Sequence, residues 1–202
     1  MTDPIGPARR AVEEQLAESS PALRAFFEQE LAHAQAALAV DRSTIGLRVM
    51  IVAAADRVAH QLEPLIGEHP VACKRGCSWC CRGIRVEVLA PEALAIGQLL
   101  RSSRAPEAVT LLSRALATAG GPARDLSAAE RWQAQLPCAF LDEQSGACTI
   151  YDARPMVCRR HNSMDVTACE RAASGPAQST TIPRLAGPEI LYGLSQAALG
   201  CV

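Results

Sequence analysis

Four cysteines within nine residues constrain this chain more than any other feature: Cys73, Cys77, Cys80 and Cys81. Their spacing, C-x3-C-x2-C-C, is short enough for several sulfurs to converge on one centre while the backbone turns around it. Gly76 is predicted to permit this close approach because it has no Cβ atom to clash. Cys80 and Cys81 are harder to direct at one metal ion, because successive side chains usually point apart. The pair therefore indicates two centres, or one cluster with an extra thiol beside it.

Four more cysteines follow at nearly even spacing. Nine residues separate Cys138 from Cys148 and Cys148 from Cys158, and ten more precede Cys169. Thiolates are ligands that suit both zinc and iron–sulfur clusters. Eight cysteines could supply two four-sulfur sites, or four could bind one cluster while the others pack or form a weaker site. The ninth, Cys201, lies at the end of the last predicted helix and is interpreted as a small core residue.

The rest of the chain favours a reducing compartment. The first residues lack the apolar core of a signal peptide. The most apolar stretch, residues 44–55, is short and contains Arg48, so it cannot span a bilayer. We therefore expect a cytoplasmic protein, in which thiols stay reduced and a disulfide framework is disfavoured. The formal net charge of −1 gives no electrostatic reason to expect nucleic acid or a membrane as a partner.

Apolar residues recur at three- and four-residue steps along much of the chain, which predicts amphipathic helices. The first covers residues 21–40, and the second begins at Ser43 or Thr44 and stops at Gly67. We expect these two neighbours to form an antiparallel pair. A capping box of Ser127 and Glu130 starts another helix that reaches residue 136. Further helices are predicted at residues 91–101, 106–119 and 188–199.

The remaining segments are predicted to be irregular, except that residues 84–89 alternate and indicate one short strand. Residues 137–169 carry the second group of cysteines, and residues 172–182 read as a loop. The fold class is therefore mainly α: a helical body with two irregular cysteine-rich loop regions and at most a short strand or hairpin. We expect an N-terminal helical segment at 1–70, a metal-binding domain at 71–170, and a loop and helix at 171–202 that pack on the same body.

Two further motifs match the cysteine spacing, but the surrounding sequence does not fit the folds that these motifs require. Cys73, Cys77 and Cys80 have the spacing of radical S-adenosylmethionine enzymes, but the chain has neither the strands nor the length for the large α/β barrel of that class. Cys77-Ser-Trp-Cys80 also resembles a redox C-x-x-C pair, but no βαβ pattern surrounds it. Both interpretations are rejected.

Basic residues flank the candidate ligands and could donate N–H groups to sulfur, or be ordinary solvated loop residues. They are Lys74, Arg75, Arg82, Arg85, Arg159 and Arg160. His161 could be a nitrogen ligand or a proton-transfer group, although a lone histidine is more often exposed or hydrogen-bonded. Pro155 restricts Arg154 to extended geometry, which could hold its guanidinium against a carboxylate or a sulfur, or simply mark a turn boundary.

The combined motifs resemble one known family. The cluster C-x3-C-x2-C-C is followed by Pro137-Cys138-Ala-Phe-Leu141, and then by Ile150-Tyr-Asp-Ala-Arg-Pro-Met-Val-Cys158-Arg159. Both halves are similar, in this order, to the YkgJ-like cysteine-cluster family. That family is described as zinc- or iron-chelating and often as containing an iron–sulfur cluster. The resemblance covers residues 73–169, about half of the chain.

The resemblance implies a shared ligand set of seven cysteines: Cys73, Cys77, Cys80, Cys81, Cys138, Cys148 and Cys158. It also implies that Tyr151, Arg154 and Arg159 support the site. Cys169 is an eighth candidate ligand. Arg160 and His161 follow where many relatives look more aromatic or proline-containing, so the outer rim of the site is expected to differ. The helices before Cys73 lie outside the matching region and are candidates for an interaction surface of this protein's own.

Three functions are compatible with these features. The favoured one is an iron–sulfur protein, with a 4Fe–4S cluster, that acts in electron transfer, redox sensing or as an accessory of an enzyme. The alternative is a zinc-stabilised interaction module, in which Zn2+ supplies folding energy. A cluster-dependent enzyme that modifies a protein or a small molecule is a further alternative, without a motif for a particular reaction. A protein partner is expected, while the oligomeric state does not follow from the sequence.

Overall fold

The fold is described from a computed structural model, which covers residues 6–103, 106–175 and 180–202. In these residues the chain is mainly helical, as predicted, and one antiparallel hairpin is its only sheet. The hairpin pairs β1 (Leu141–Asp142) with β2 (Ala147–Cys148). The helices are α1 (Gly6–Leu16), α2 (Pro21–Val40), α3 (Thr44–Glu68), α4 (Ala90–Ser102), α5 (Pro106–Gly120), α6 (Ala128–Gln133), α7 (Met156–Arg160), α8 (Val166–Ser174) and α9 (Ala186–Leu199).

Helices α2 and α3 form the antiparallel pair that the sequence predicts. Ser43 caps α3, because its hydroxyl accepts a hydrogen bond of 3.1 Å from the backbone N–H of Gly46. Near the connecting loop Asp41 lies against Gly46, and further from it Glu30 of α2 meets Arg57 of α3. The contacts therefore move outward along both helices from the loop, as they must in an antiparallel pair.

The main hydrophobic core lies where α2, α3, α4 and α9 meet. Phe26, Val58 and Leu199 are among the buried side chains that fill it, and each contributes roughly 1.5–3 kcal/mol by leaving water. Met156 of α7 is fully buried in the same cluster. The short helix that carries Cys158 is therefore anchored directly to the core.

A buried carboxylate ties three helices of this core together. Glu30 of α2 is 4% exposed, and its two oxygens accept hydrogen bonds from the Arg57 guanidinium of α3 at 2.7 and 3.1 Å. The hydroxyl of Ser195, on α9, donates to the same carboxylate at 2.9 Å. A buried charge is tolerated only when it is paired and hydrogen-bonded in this way.

We expect Glu30→Ala to lower the free energy of unfolding by about 2–3 kcal/mol, because it leaves Arg57 and Ser195 without their acceptor. This loss of stability is smaller than for a fully buried ion pair, because the Arg57 side chain is 32% exposed and water partly solvates its charge. Denaturant titration followed by circular dichroism measures the change. Glu28→Ala is the matched control on the same helix, because the Glu28 side chain is 55% exposed; equal effects of the two substitutions would refute the role of the network.

The predicted strand at residues 84–89 is wrong, because no second strand pairs with this segment in the described residues. The alternation behind that prediction is real: Ile84 and Val86 are half-buried, whereas Arg85 and Glu87 are exposed. Residues 84–88 all line a cavity, so the alternating pattern reflects the half-burial of alternate side chains in an extended loop.

The second cysteine region is more helical than predicted. Residues 137–169 were expected to be irregular, yet they contain α7 and the first half of α8, so Cys169 is a helical residue. Helix α8 also extends to Ser174, into the predicted loop at 172–182, of which residues 176–179 lie outside the described residues. The helix from the capping box ends at Gln133 rather than at residue 136, and Gln135 follows with φ +48°.

Two further expectations concern the whole chain. Among the described helices, none combines the length and the apolar character that a bilayer crossing requires. The proposed division at residues 70 and 170 stays a prediction.

Candidate metal centre

Backbone hydrogen bonds bring the two cysteine-rich regions together. The N–H of Cys138 donates to the carbonyl of Cys81 at 2.8 Å, and the N–H of Ala72 donates to the carbonyl of Ser163 at 2.7 Å. Residues that are more than fifty positions apart in sequence are thereby joined on both sides of the first cluster. The predicted convergence of the two regions is present in the fold.

Seven cysteines line one cavity of about 700 Å3. They are Cys73, Cys77, Cys80, Cys81, Cys138, Cys148 and Cys158. Cys169 does not line the cavity, but it lies in α8 close enough for its charge to act on Cys73 and Cys77. Cys201 is buried against α1 and α2, in a separate apolar cluster with Leu16 and Phe27, as its interpretation as a core residue requires.

Two glycines shape the loops around the cavity. Gly76 has φ +88°, a conformation that favours glycine, but a Cβ atom there would meet nothing within 4 Å. The clash predicted for Gly76 is therefore wrong, and its backbone conformation is the reason for glycine. Gly146 makes the close approach instead: with φ +67° it turns the hairpin, and a Cβ atom there would lie 3.0 Å from the carbonyl oxygen of Gly76.

The same local arrangement recurs at three cysteines. Backbone groups two residues later, at Trp79, Phe140 and Ile150, act on the thiols of Cys77, Cys138 and Cys148 respectively and favour their ionised forms. The backbone of Ser163 acts on Cys73 in the same sense. A hydrogen bond to the charged form of an acid stabilises that form. These backbone groups thus partly offset the effect of burial on the four thiols.

Burial opposes ionisation at most of these sulfurs. It raises the pKa of Cys158 to about 12 and that of Cys73 to about 11, and it also raises the pKa values of Cys77, Cys138 and Cys148. A cation placed among these thiols would offset the cost of their ionisation, as metal ions do at thiolate sites.

The adjacent pair behaves differently. The side chains of Cys80 and Cys81 lie close enough to share a proton, which lowers the pKa of Cys80 and raises that of Cys81. One of the two sulfurs therefore ionises first while its neighbour keeps the shared proton.

We expect the affinity for metal to rise steeply with pH between about pH 6 and pH 9. Thiols with raised pKa values are protonated in this range, and each must release its proton when it binds metal. Every proton released adds about tenfold in affinity per pH unit. Competition with a chromogenic chelator, corrected for the chelator's own protonation, measures the slope. A flat profile would mean that the ligands do not lose protons on binding.

Two guanidinium groups enclose one aromatic ring beside the thiols. The guanidinium carbons of Arg154 and Arg75 lie 3.7 and 4.2 Å from the ring centre of Tyr151, a cation–π arrangement. The charge of Arg154 acts on Cys80, Cys148 and Cys158 and favours their ionised forms. Arg154 is thus the cation common to several sulfurs.

Arg159 supports this arrangement from the backbone side. Its Nε donates to the carbonyl of Arg154 at 3.0 Å, and its Nη2 donates to that of Asp152 at 2.8 Å. Arg154 is extended before Pro155, with φ −58° and ψ 135°, as predicted. Its guanidinium stacks on Tyr151 rather than pairing with a carboxylate, and Arg154 also marks the boundary between a 3-10 turn and α7.

Three further polar residues belong to the site, of which Arg131 carries no signal in the sequence, whereas Arg82 and His161 are candidates from it. Arg131, in α6, is 7% exposed, donates to the carbonyl of Ile84, and favours the ionised form of Cys138. The Nε of Arg82 is buried and has no hydrogen-bond partner in the described part of the chain. His161 lines the cavity, where burial lowers its pKa and the charges of Arg184 and Arg160 lower it further.

Glu92 positions the helix that carries Cys158. Its side chain is 1% exposed, and one oxygen accepts from the N–H of Met156, the first residue of α7, at 2.7 Å. The other oxygen accepts from the N–H of Leu89 at 2.9 Å and from Gln196 of α9 at 3.3 Å. One carboxylate therefore fixes the start of α7 to both α4 and α9.

The donor set fits a thiolate-bound metal. It consists of sulfurs with backbone N–H donors and nearby cations, which are the features that tune metal–thiolate sites. As the side chains stand, no three His, Cys, Asp or Glu residues of the described ranges meet the spacing needed to hold one ion.

Comparison with known proteins points to the same residues. A family model described as "CxxCxxCC: Putative zinc- or iron-chelating domain" matches residues 72–178, which is more than half of the chain. The match includes all eight cysteines of the two regions and leaves Cys201 outside. No curated protein and no solved structure matches the chain.

Proposed function

Since the chain belongs to the CxxCxxCC family of zinc- or iron-chelating domains, we propose that its clustered cysteines hold an iron–sulfur cluster. The proposed roles are electron transfer, redox sensing or support of an enzyme as a cluster-bearing accessory. The residues that would hold the cluster are the cysteines of the cavity, with Cys169 beside them. A bound 4Fe–4S cluster would supply reversible one-electron chemistry.

The backbone N–H groups and cations that favour ionised sulfurs support this proposal. Backbone donors at Trp79, Phe140 and Ile150 reach sulfurs of both cysteine regions. Hydrogen bonds to sulfur and nearby charge set the reduction potential of a cluster, and Arg154 adds a cation that acts on three of the sulfurs.

Metal and sulfide analysis of protein purified without oxygen tests the proposal. We expect brown protein with stoichiometric iron and acid-labile sulfide. The matched control is Cys201→Ala, which removes a cysteine outside the cavity and leaves the iron content unchanged. Colourless protein that holds only zinc would instead establish the alternative, a zinc-stabilised interaction module.

A specific feature of the cavity favours a second candidate, a cluster-dependent enzyme. The cavity that holds the thiols is also lined by Tyr151, Arg154 and His161, and it continues between apolar residues such as Val86 and Leu116. Such a mainly apolar pocket with a few polar groups is typical of sites that bind small molecules. The ligand would lie next to the sulfurs.

Extraction of the purified protein followed by mass spectrometry tests this second candidate. We expect a mainly apolar molecule that is absent from extracts of Leu116→Glu, because a carboxylate would enter the apolar part of the cavity. Leu116 is 65% exposed, so this substitution does not disturb the core. Identical extracts from both proteins would count against a ligand in the cavity.

A further inference from the structure

The cysteines fall into two groups according to which thiols lie near one another. Cys77, Cys80 and Cys169 are near enough to Cys73 for their ionised forms to raise its pKa, and Cys80 and Cys169 are likewise near Cys77. The backbone agrees with this grouping: the segment before Cys73 is hydrogen-bonded to Ser163, whose hydroxyl accepts from Asp165, the N-cap residue of the helix that carries Cys169. Cys73, Cys77 and Cys169 are therefore neighbours.

The second group lies on the other side of the adjacent pair. The charges of Cys138 and Cys158 act on Cys81, and those of Cys138 and Cys148 act on Cys158. The backbone of Cys138 is hydrogen-bonded to that of Cys81, and Cys148 lies in the hairpin opposite Leu141, whose N–H donates to the Cys138 carbonyl. Among the strongest interactions of these four thiols, none is with Cys73, Cys77 or Cys169.

Cys80 is the thiol that lies near both groups, since its ionised form acts on Cys73 and Cys77 as well as on Cys138 and Cys158. It begins a 3-10 turn, Cys80–Arg82, and its side chain lies beside that of Cys81, at the junction of the two groups. The turn contacts helix α8 on one side, while the carbonyl of Cys81 accepts from Cys138 on the other. A tetrahedral thiolate site needs four sulfurs. The second group already has four sulfurs when Cys81 is counted with it. The first group reaches four sulfurs only if Cys80 is added.

From this arrangement we infer two four-sulfur metal centres, with the division between Cys80 and Cys81. An outer centre takes Cys73, Cys77, Cys80 and Cys169. An inner centre takes Cys81, Cys138, Cys148 and Cys158. The inference rests on the proposed metal-binding function and specifies which ligands share a metal, and it holds for zinc as well as for iron–sulfur clusters.

The two centres differ in their surroundings. The outer one includes Cys73, the only cysteine of the chain that is exposed, and a ligand on α8 outside the cavity. The inner one is served by the cation Arg131, and it shares the cation Arg154 with Cys80 of the outer centre. The outer centre is therefore the more accessible to solvent and to chelators, and the inner one is the better enclosed.

Metal analysis of paired cysteine substitutions tests the division. In the full chain purified without oxygen, we expect Cys169→Ser and Cys138→Ser each to lose half of the metal. The double variant Cys169→Ser with Cys73→Ser changes two ligands of the outer centre, so it should lose no more metal than either single variant. Combining Cys169→Ser with Cys138→Ser removes all of it. The control, Cys201→Ala, retains the wild-type amount.

Other outcomes overturn the inference without touching the proposed function. Complete loss of metal from every single variant, or full retention in Cys169→Ser, would indicate one shared centre. If a variant fails to fold, the metal content of the wild-type chain provides the test. We expect two zinc ions, or the iron of two clusters, per chain. One zinc ion, or the iron of one cluster, would refute the division. Wild-type protein that binds no metal would instead refute the proposed function itself.

Discussion

Removal of the metal should lower the melting temperature of this protein by roughly 10–20 °C while most of its helical circular dichroism remains. Structural metals contribute about 10–16 kcal/mol of apparent binding energy in small zinc peptides. If about 5 kcal/mol of this stabilises the fold, a domain of this size loses about 2–4 °C for each kcal/mol. The core of α2, α3, α4 and α9 contains no cysteine, so its helices should persist.

The loss should be concentrated in the cysteine loops. Residues 70–79 and 83–89 form no helix or strand, and residues 134–155 contain only the short hairpin and a 3-10 turn. With few backbone hydrogen bonds of their own, these segments depend on the sulfurs to hold them together. Hydrogen exchange with and without chelator should show protection lost there and kept in α3. Protection that is unchanged in residues 134–155 would contradict a structural role for the metal.

Glu92→Ala should be the most damaging single substitution outside the cysteines. It removes a buried carboxylate and leaves the N–H groups of Leu89 and Met156 without an acceptor. Hydrogen bonds to a charged group contribute about 1.5–3 kcal/mol each, so we expect the free energy of unfolding to fall by about 3–5 kcal/mol. Because α7 loses its anchor, the metal content should fall together with the stability.

A matched control separates this effect from a general loss of charge. Glu107 also lies in the first turn of its helix, α5, but it is exposed, so Glu107→Ala should change the stability by less than about 0.5 kcal/mol. Glu92→Gln, which keeps one acceptor oxygen, should fall between the two. Wild-type metal content in a folded Glu92→Ala protein would show that α7 does not need this anchor to present Cys158.

The helical body could be predicted from the sequence because its signals are local. The apolar repeat of α2 and α3, the Ser43 cap and the capping box at Ser127 each act within a few residues. The same local reasoning failed at residues 84–89, where alternation was taken for a strand. An alternating segment buries one face against a cavity as readily as against a sheet, and only a partner strand distinguishes the two.

The sequence was enough to predict which residues are candidate metal ligands, but not how these residues are arranged in space. Clustered cysteines identify candidate ligands, but which thiols share a neighbourhood depends on contacts such as that between Cys138 and Cys81. Arg131 and Glu92 were missed because a charged residue in an amphipathic helix is normally solvated. Their burial follows from packing between distant segments, which a local pattern does not encode.

Mass spectrometry of the intact chain tests the central claim, that the clustered cysteines bind metal, most directly. Protein purified without oxygen is measured under native conditions and again after acid denaturation. The account predicts a native mass that exceeds the denatured mass by that of the bound metal, with inorganic sulfide if a cluster is present. Equal masses for the native and the denatured chain would contradict it.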